Sequence, residues 1–205
     1  MTSATEALQL LREGNQRFAS GKRKHEEIDH DRRIEINKEQ KPVAIILGCS
    51  DARVPAELIF DQGLGDLFVI RVAGNIVAPS QIGSIEFAAE RYGVRLVVVL
   101  GHTQCGAILA TIEELQRPVE NQSRNLRAIV DRVRPAVEGL IKTDLRHDMN
   151  KLVHHAVRAN VSISVSHLRY GSEVLERLIR DEGLMVVGAE YSLETGVVEF
   201  FDGAG

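Results

Sequence analysis

The chain has 205 residues, 44% hydrophobic and 26% charged, which is enough for one substantial core and too ordinary in composition for disorder. Its formal net charge of −4 gives no pull toward nucleic acid or an anionic membrane, so a small-molecule substrate is expected and a nucleic-acid partner is not. The longest apolar run, Leu96 to Leu100, is far too short to cross a bilayer, and the N-terminus lacks the basic-then-apolar pattern of a signal peptide, so a cytoplasmic protein with no membrane partner is expected.

No repeat, low-complexity tract or long linker divides the sequence, and residues 1–205 read as a single α/β domain. Residues 4–19 place Leu8, Leu11, Asn15 and Phe18 on one face, predicting an amphipathic helix that ends near Gly21. Residues 22–41 are highly charged with Ile28, Ile34 and Ile36 thinly spaced. They cannot build much core. Residues 1–41 are therefore expected to form a helical arm that packs on a partner subunit.

Val43–Leu47, Leu67–Ile70 and Leu96–Leu100 are short continuous apolar runs, the pattern of parallel strands covered on both faces. Each is followed by a turn and a helical pattern, over Pro55–Gln62, Ser80–Tyr92 and Cys105–Leu115. Further helices are expected over 122–138, 145–169 and Ser172–Asp181, and strands over Val186–Gly188 and Val197–Phe201 around a Glu194-Thr-Gly196 turn. The fold class is α/β: a central, mostly parallel sheet flanked by helices, with an N-terminal helical extension and a C-terminal helix and strand segment.

Ligands of open parallel sheets bind beyond the carboxyl ends of the strands. The reactive residue types gather there: Cys49, Asp51 and Arg53 after the first strand, Arg71, Gly74 and Asn75 after the second, His102 and Cys105 after the third. Cys49 and Cys105 are the only cysteines. In an oxidising compartment they could pair; in a reducing one they bind metal, do chemistry, or serve as small buried hydrophobes. His102 and Cys105 are three residues apart where a strand becomes a helix, so both side chains can point one way. With Cys49 they make two thiolates and an imidazole, three of the four tetrahedral positions of zinc, the layout of a catalytic site. Asp51 could fill the fourth position or stand beside it. His25, His30, His147, His154, His155 and His167 lie in polar or helical patterns and read as ordinary histidines.

Gly48-Cys-Ser-Asp-Ala-Arg53 with Val54-Pro-Ala-Glu57, Arg71-Val-Ala-Gly-Asn75 and Gly101-His-Thr-Gln-Cys-Gly-Ala107 resemble the β-carbonic anhydrases in that order and at their separations, densely over residues 43–115. The resemblance implies Zn2+ on Cys49, His102 and Cys105, and reversible hydration of carbon dioxide to bicarbonate and a proton by zinc-bound hydroxide. It also implies a homodimer, often assembled further to a homotetramer. Asp51 and Arg53 resemble the family's Asp–Arg dyad, in which the ion pair holds the carboxylate off the metal to orient the nucleophile. If the pair breaks, Asp51 would bind zinc in a closed state that acid favours.

Phe68, Val72, Gly74 and Gly101 are expected around a small substrate pocket, the glycines by allowing close approach and the apolar residues by receiving a nonpolar gas, with a partner subunit completing the wall. Tight turns and ordinary core are the competing roles for these four. Some family members carry a bicarbonate-binding regulatory site of Trp, Arg and Tyr. Arg71 and Tyr191 match two of these positions, but Ile46 stands at the third and the chain has no Trp, so regulation of that kind is not expected. Arg71-Val-Ala-Gly-Asn75 also departs from the R-N-x-A-N common elsewhere in the family. Three alternatives stay open: carbon disulfide hydrolysis on the same scaffold, a non-catalytic protein with a structural four-ligand zinc, and a metal-free thiol enzyme or redox switch.

Overall fold

In the computed structural model, residues 2–24, 33–34, 36–37, 39–117 and 123–204 are described. The apolar runs form the centre of the molecule. β1 (Ala44–Gly48) and β3 (Leu96–His102) are buried at every residue, as strands covered on both faces must be. With β2 (Leu67–Arg71), β4 (Met185–Tyr191) and β5 (Val198–Asp202) they make one sheet of order β2-β1-β3-β4-β5, parallel except for the β4–β5 pair.

Strand alternation sorts the side chains into two layers. Ala44, Ile46, Leu96, Val98, Leu100, Val187, Ala189 and Tyr191 face one way, against Leu8 and Leu11 of α1 (Ala4–Ala19) and Ile59 of the short α2 (Ala56–Ile59). Ile45, Leu47, Val97, Val99 and Val186 face the other. There they meet α3 (Pro79–Arg91), α6 (Met149–Tyr170) and α7 (Glu173–Glu182). A third apolar cluster forms where α4 (Gly106–Gln116), α5 (Arg124–Val137) and α6 meet, and it contains Cys49 and Cys105.

Local chemistry sets the helix ends. Ser3 and Glu6 form a reciprocal capping box on α1, Asp148 accepts from the Lys151 N–H at the start of α6, and Ser172 accepts from the Leu175 N–H at the start of α7. The helix expected from residue 145 therefore starts at Met149, because Asp148 caps it, and residues 144–147 form a separate 3-10 turn. The helix expected over Pro55–Gln62 is a single turn. It stops because Asp61 adopts φ 45° and spends its carboxylate on Arg17 and the Lys24 N–H.

Helix α1 covers its own chain's sheet, with Ala7 and Leu11 fully buried, so this part of the arm expected to lie on a partner belongs to the domain core. Asn15 fastens it. The side-chain nitrogen donates to the carbonyls of Ile59 (3.2 Å) and Gly196 (2.9 Å), and the oxygen accepts from the Val198 N–H (2.8 Å). Of the charged segment that follows, Ile28, His25 and His30 lie outside the described residues.

Candidate metal centre

Gly48 pairs with Leu100 across β1 and β3, so the residues just past these strand ends come out on one rim. The sulfurs of Cys49 and Cys105 and a ring nitrogen of His102 all lie within 4.8 Å of one another, and all three residues are buried. Zinc bonds of about 2.0–2.3 Å put tetrahedral donors about 3.5–3.8 Å apart. Small side-chain rotations would close this triplet on one cation.

The imidazole is oriented for such a role. His102 Nδ1 lies 2.9 Å from the carbonyl of Thr103, which fixes the proton there and leaves the Nε2 lone pair free. His102 Nε2 is buried and has no hydrogen-bond partner, a costly arrangement unless something else binds it. Thr103 is itself tied down: its N–H donates to the Tyr191 carbonyl (3.0 Å) and its hydroxyl accepts from the Leu193 N–H (3.0 Å). Gln104 adopts φ 57°, the left-handed turn that lets residues 102 and 105 point inward together.

The two thiols lie close enough to shift each other in opposite directions. A hydrogen bond from Cys105 draws the Cys49 thiol down, assisted by the Gly74 N–H at 3.4 Å, while the neighbouring Cys49 sulfur and burial push Cys105 up. A divalent cation in their midst would take both as thiolates. A buried imidazole nitrogen without a hydrogen-bond partner beside two thiols is a donor set that fits zinc.

Asp51 stands at the open side of this triplet. Arg53 grips it as a fork, Nε to Oδ1 at 2.9 Å and a terminal nitrogen to Oδ2 at 2.7 Å, and the Arg53 N–H adds a third bond to Oδ1 at 2.9 Å. These hydrogen bonds hold the Asp51 carboxyl well below the usual carboxylate range. Its Oδ2 is 3.9 Å from His102 Nε2. Arg71 clamps the loop from the next strand, donating to the backbone carbonyls of Cys49 (2.9 Å) and Asp51.

A profile of the family described as carbonic anhydrase matches residues 44–198. Carbonic anhydrase 2 of Mycobacterium tuberculosis is 39% identical over 198 residues, covering 95% of this chain and 91% of that protein. The chain belongs to the β-class carbonic anhydrase family. The carbonic anhydrase of Mycolicibacterium smegmatis is 37% identical over 94% of this chain and 91% of its own length. Among solved structures, the β-carbonic anhydrase CafA of Aspergillus fumigatus superposes with a TM-score of 0.75 at 26% identity, covering 85% of this chain and 82% of that one.

The residues expected in the pocket of this carbonic anhydrase take different places. Val72 packs against the cluster that holds both cysteines and against the layer of Ile45 and Leu47. Gly74 is also close, through its N–H to Cys49. Gly101 lies close against α6; a Cβ there would stand 2.6 Å from Val161 Cγ2 and 3.2 Å from Val157 Cγ1. Phe68 sits three residues back from the Arg71 end of β2, in a ring cluster with Phe87 and Tyr92 at centroid distances of 6.5 and 6.1 Å. Ile46 fills the apolar layer that also contains Tyr191. Arg71 spends its guanidinium on the Cys49–Asp51 backbone.

Sequence reasoning missed the clamp by Arg71 and the anchoring by Thr103. The position of Thr103 between two ligands was the available signal for the second.

Proposed function

We propose that this chain catalyses the reversible hydration of carbon dioxide to bicarbonate, with zinc held by Cys49 Sγ, His102 Nε2 and Cys105 Sγ. The observation that carries this reading is the convergence of three buried donors, one an unpartnered nitrogen, beside a carboxylate held away from them by Arg53. Bound zinc supplies Lewis acidity that makes hydroxide available near neutral pH.

The chain's residues do the rest. Asp51, kept ionised by Arg53, can only accept hydrogen bonds. With Oδ2 facing His102 Nε2, it would accept a hydrogen bond from a water or hydroxide held there and so turn that oxygen's lone pair toward the substrate. Val72 and the apolar side chains around Cys49 and Cys105 give a nonpolar gas a surface without competing donors. The α4 backbone at Ala107 and Ile108 points N–H groups at the Cys105 sulfur, adding positive potential where two thiolates would otherwise weaken the metal's acidity.

The fork on Asp51 supports this reading over a structural four-ligand zinc, since both carboxylate oxygens are already engaged by Arg53. Cys49 and Cys105 are free thiols, in keeping with a reducing, cytoplasmic setting. No described helix is long and apolar enough to cross a membrane. A homodimer fits the edge of β2, which pairs with no further strand among the described residues and where half-buried Phe68 stands beside the 52% exposed Phe87, ring centroids 6.5 Å apart.

Stopped-flow carbon dioxide hydration, with zinc measured on the same sample, tests the proposal. One zinc per chain with rapid hydration is expected, and Cys49→Ala, His102→Ala or Cys105→Ala should lose both together. Full zinc without hydration would favour the structural-zinc alternative. Turnover of carbon disulfide in place of carbon dioxide would favour the other hydrolytic reading.

A further inference from the structure

Helix α6 runs beneath the metal centre with a mostly apolar buried face: Val153, Val157, Val161, Val165 and Leu168. Two polar residues interrupt that face. Asn160 and Ser164 are 2% and 3% exposed, one turn apart, where burial of an amide or hydroxyl is costly unless it is bonded. Both bonds go to a single target, the 3-10 turn at Ala73–Asn75: Asn160 Nδ2 donates to the Gly74 carbonyl at 2.8 Å, and Ser164 Oγ to the Asn75 carbonyl at 3.1 Å.

That turn needs holding. Gly74 and Asn75 are consecutive left-handed residues, at φ 68° and 42°. Gly74 has Ala107 and Val133 so close that a Cβ would lie 3.0 and 3.4 Å from their side chains. The turn's one polar contact with the metal centre is the Gly74 N–H, which reaches Cys49 Sγ at 3.4 Å. Pinning the carbonyls of Gly74 and Asn75 fixes the peptide planes on either side of Asn75; the first of these joins, through a Gly74 Cα held between Ala107 and Val133, the preceding plane that carries the Gly74 N–H, and so limits where that N–H aims.

We propose that Asn160 and Ser164 are positioning residues for Cys49, acting through the Ala73–Asn75 turn to hold a backbone N–H on the ligand sulfur. The proposal rests on the zinc reading above. Outer partners of metal ligands set ligand orientation and affinity, and losing one typically costs about 10–100-fold in affinity or activity.

The test uses full-length protein carrying Asn160→Ala, Ser164→Ala, or Leu168→Ala as a control cavity in the same helix but in a different core cluster. Zinc affinity is read by chelator competition, and the sulfur environment by the thiolate-to-metal absorption of the cobalt(II)-substituted protein. Asn160→Ala should weaken zinc by about 10-fold or more and shift the cobalt band. Ser164→Ala should do so to a smaller degree, and it carries the test if Asn160→Ala does not fold. Leu168→Ala should lower the melting temperature while leaving affinity and band in place. The proposal is overturned if the two polar variants match Leu168→Ala in both readouts. Wild-type protein that takes up no zinc would instead overturn the metal reading, and this one with it.

Discussion

Asp51 accepts three hydrogen bonds from Arg53, and this decides its charge across the useful pH range. The folded-state value lies below that of an unfolded aspartate, so the pair's stabilisation is complete above the unfolded value and fades only as pH falls through the lower folded one. Between pH 7 and 4 the side chain should therefore remain a carboxylate. Carbon-detected NMR of Asp51 Cγ checks this, and a protonation step in that window would show that the fork is weaker than its geometry. Asp51→Ala should keep zinc yet slow hydration by about 100-fold or more, the usual contribution of a positioned acid or base. Wild-type turnover in that variant would remove the dyad from the mechanism.

At the scale of elements, Gly101 shows how a glycine beside a ligand can belong to packing instead of substrate. Gly101→Ala should destabilise the protein by about 1–3 kcal/mol through overpacking against Val161 and Val157, measured by chemical denaturation. An unchanged midpoint would mean α6 can retreat without loss.

The strands were legible because β1 and β3 are buried on both faces and so read as unbroken apolar runs. The cluster of Cys49, His102 and Cys105 was legible because C-x-D-x-R and H-x-x-C sit at the ends of those runs. Asn160 and Ser164 were not read, since in a 22-residue helix scattered polar residues look like a solvated face. Their spacing of four within a valine stripe was the usable clue. The clamp by Arg71 was hidden because its targets are backbone carbonyls, which every residue has. The short α2 depended on a left-handed Asp61 that no apolar period announces.

For the whole molecule, the sheet is finished differently at its two ends. On one side β5 returns antiparallel and presents Glu199, whose carboxylate binds Arg158 at 2.9 and 3.2 Å. Charge of that kind discourages edge-to-edge pairing. On the other side β2 ends the sheet among the described residues, with Phe68 beside Phe87. Light scattering should accordingly give a multiple of the 22.7 kDa chain mass. Phe87→Glu, altering a side chain already 52% exposed, should lower that multiple without much change in melting temperature. A wild-type monomer would leave that edge unused.

The bonds of Asn15 impose an order on how the protein is made. Its partner Gly196 lies 181 residues later, an interval of roughly 10–40 s at translation rates of about 5–20 residues per second. Helix α1 therefore leaves the ribosome long before its last fastening point exists. During that time α1 has only the earlier part of its layer to cover, Ala44, Ile46 and Ile59 and then β3, with one of the three bonds of Asn15 available at Ile59. The final hairpin, as it emerges, supplies the other two bonds and the rest of the layer.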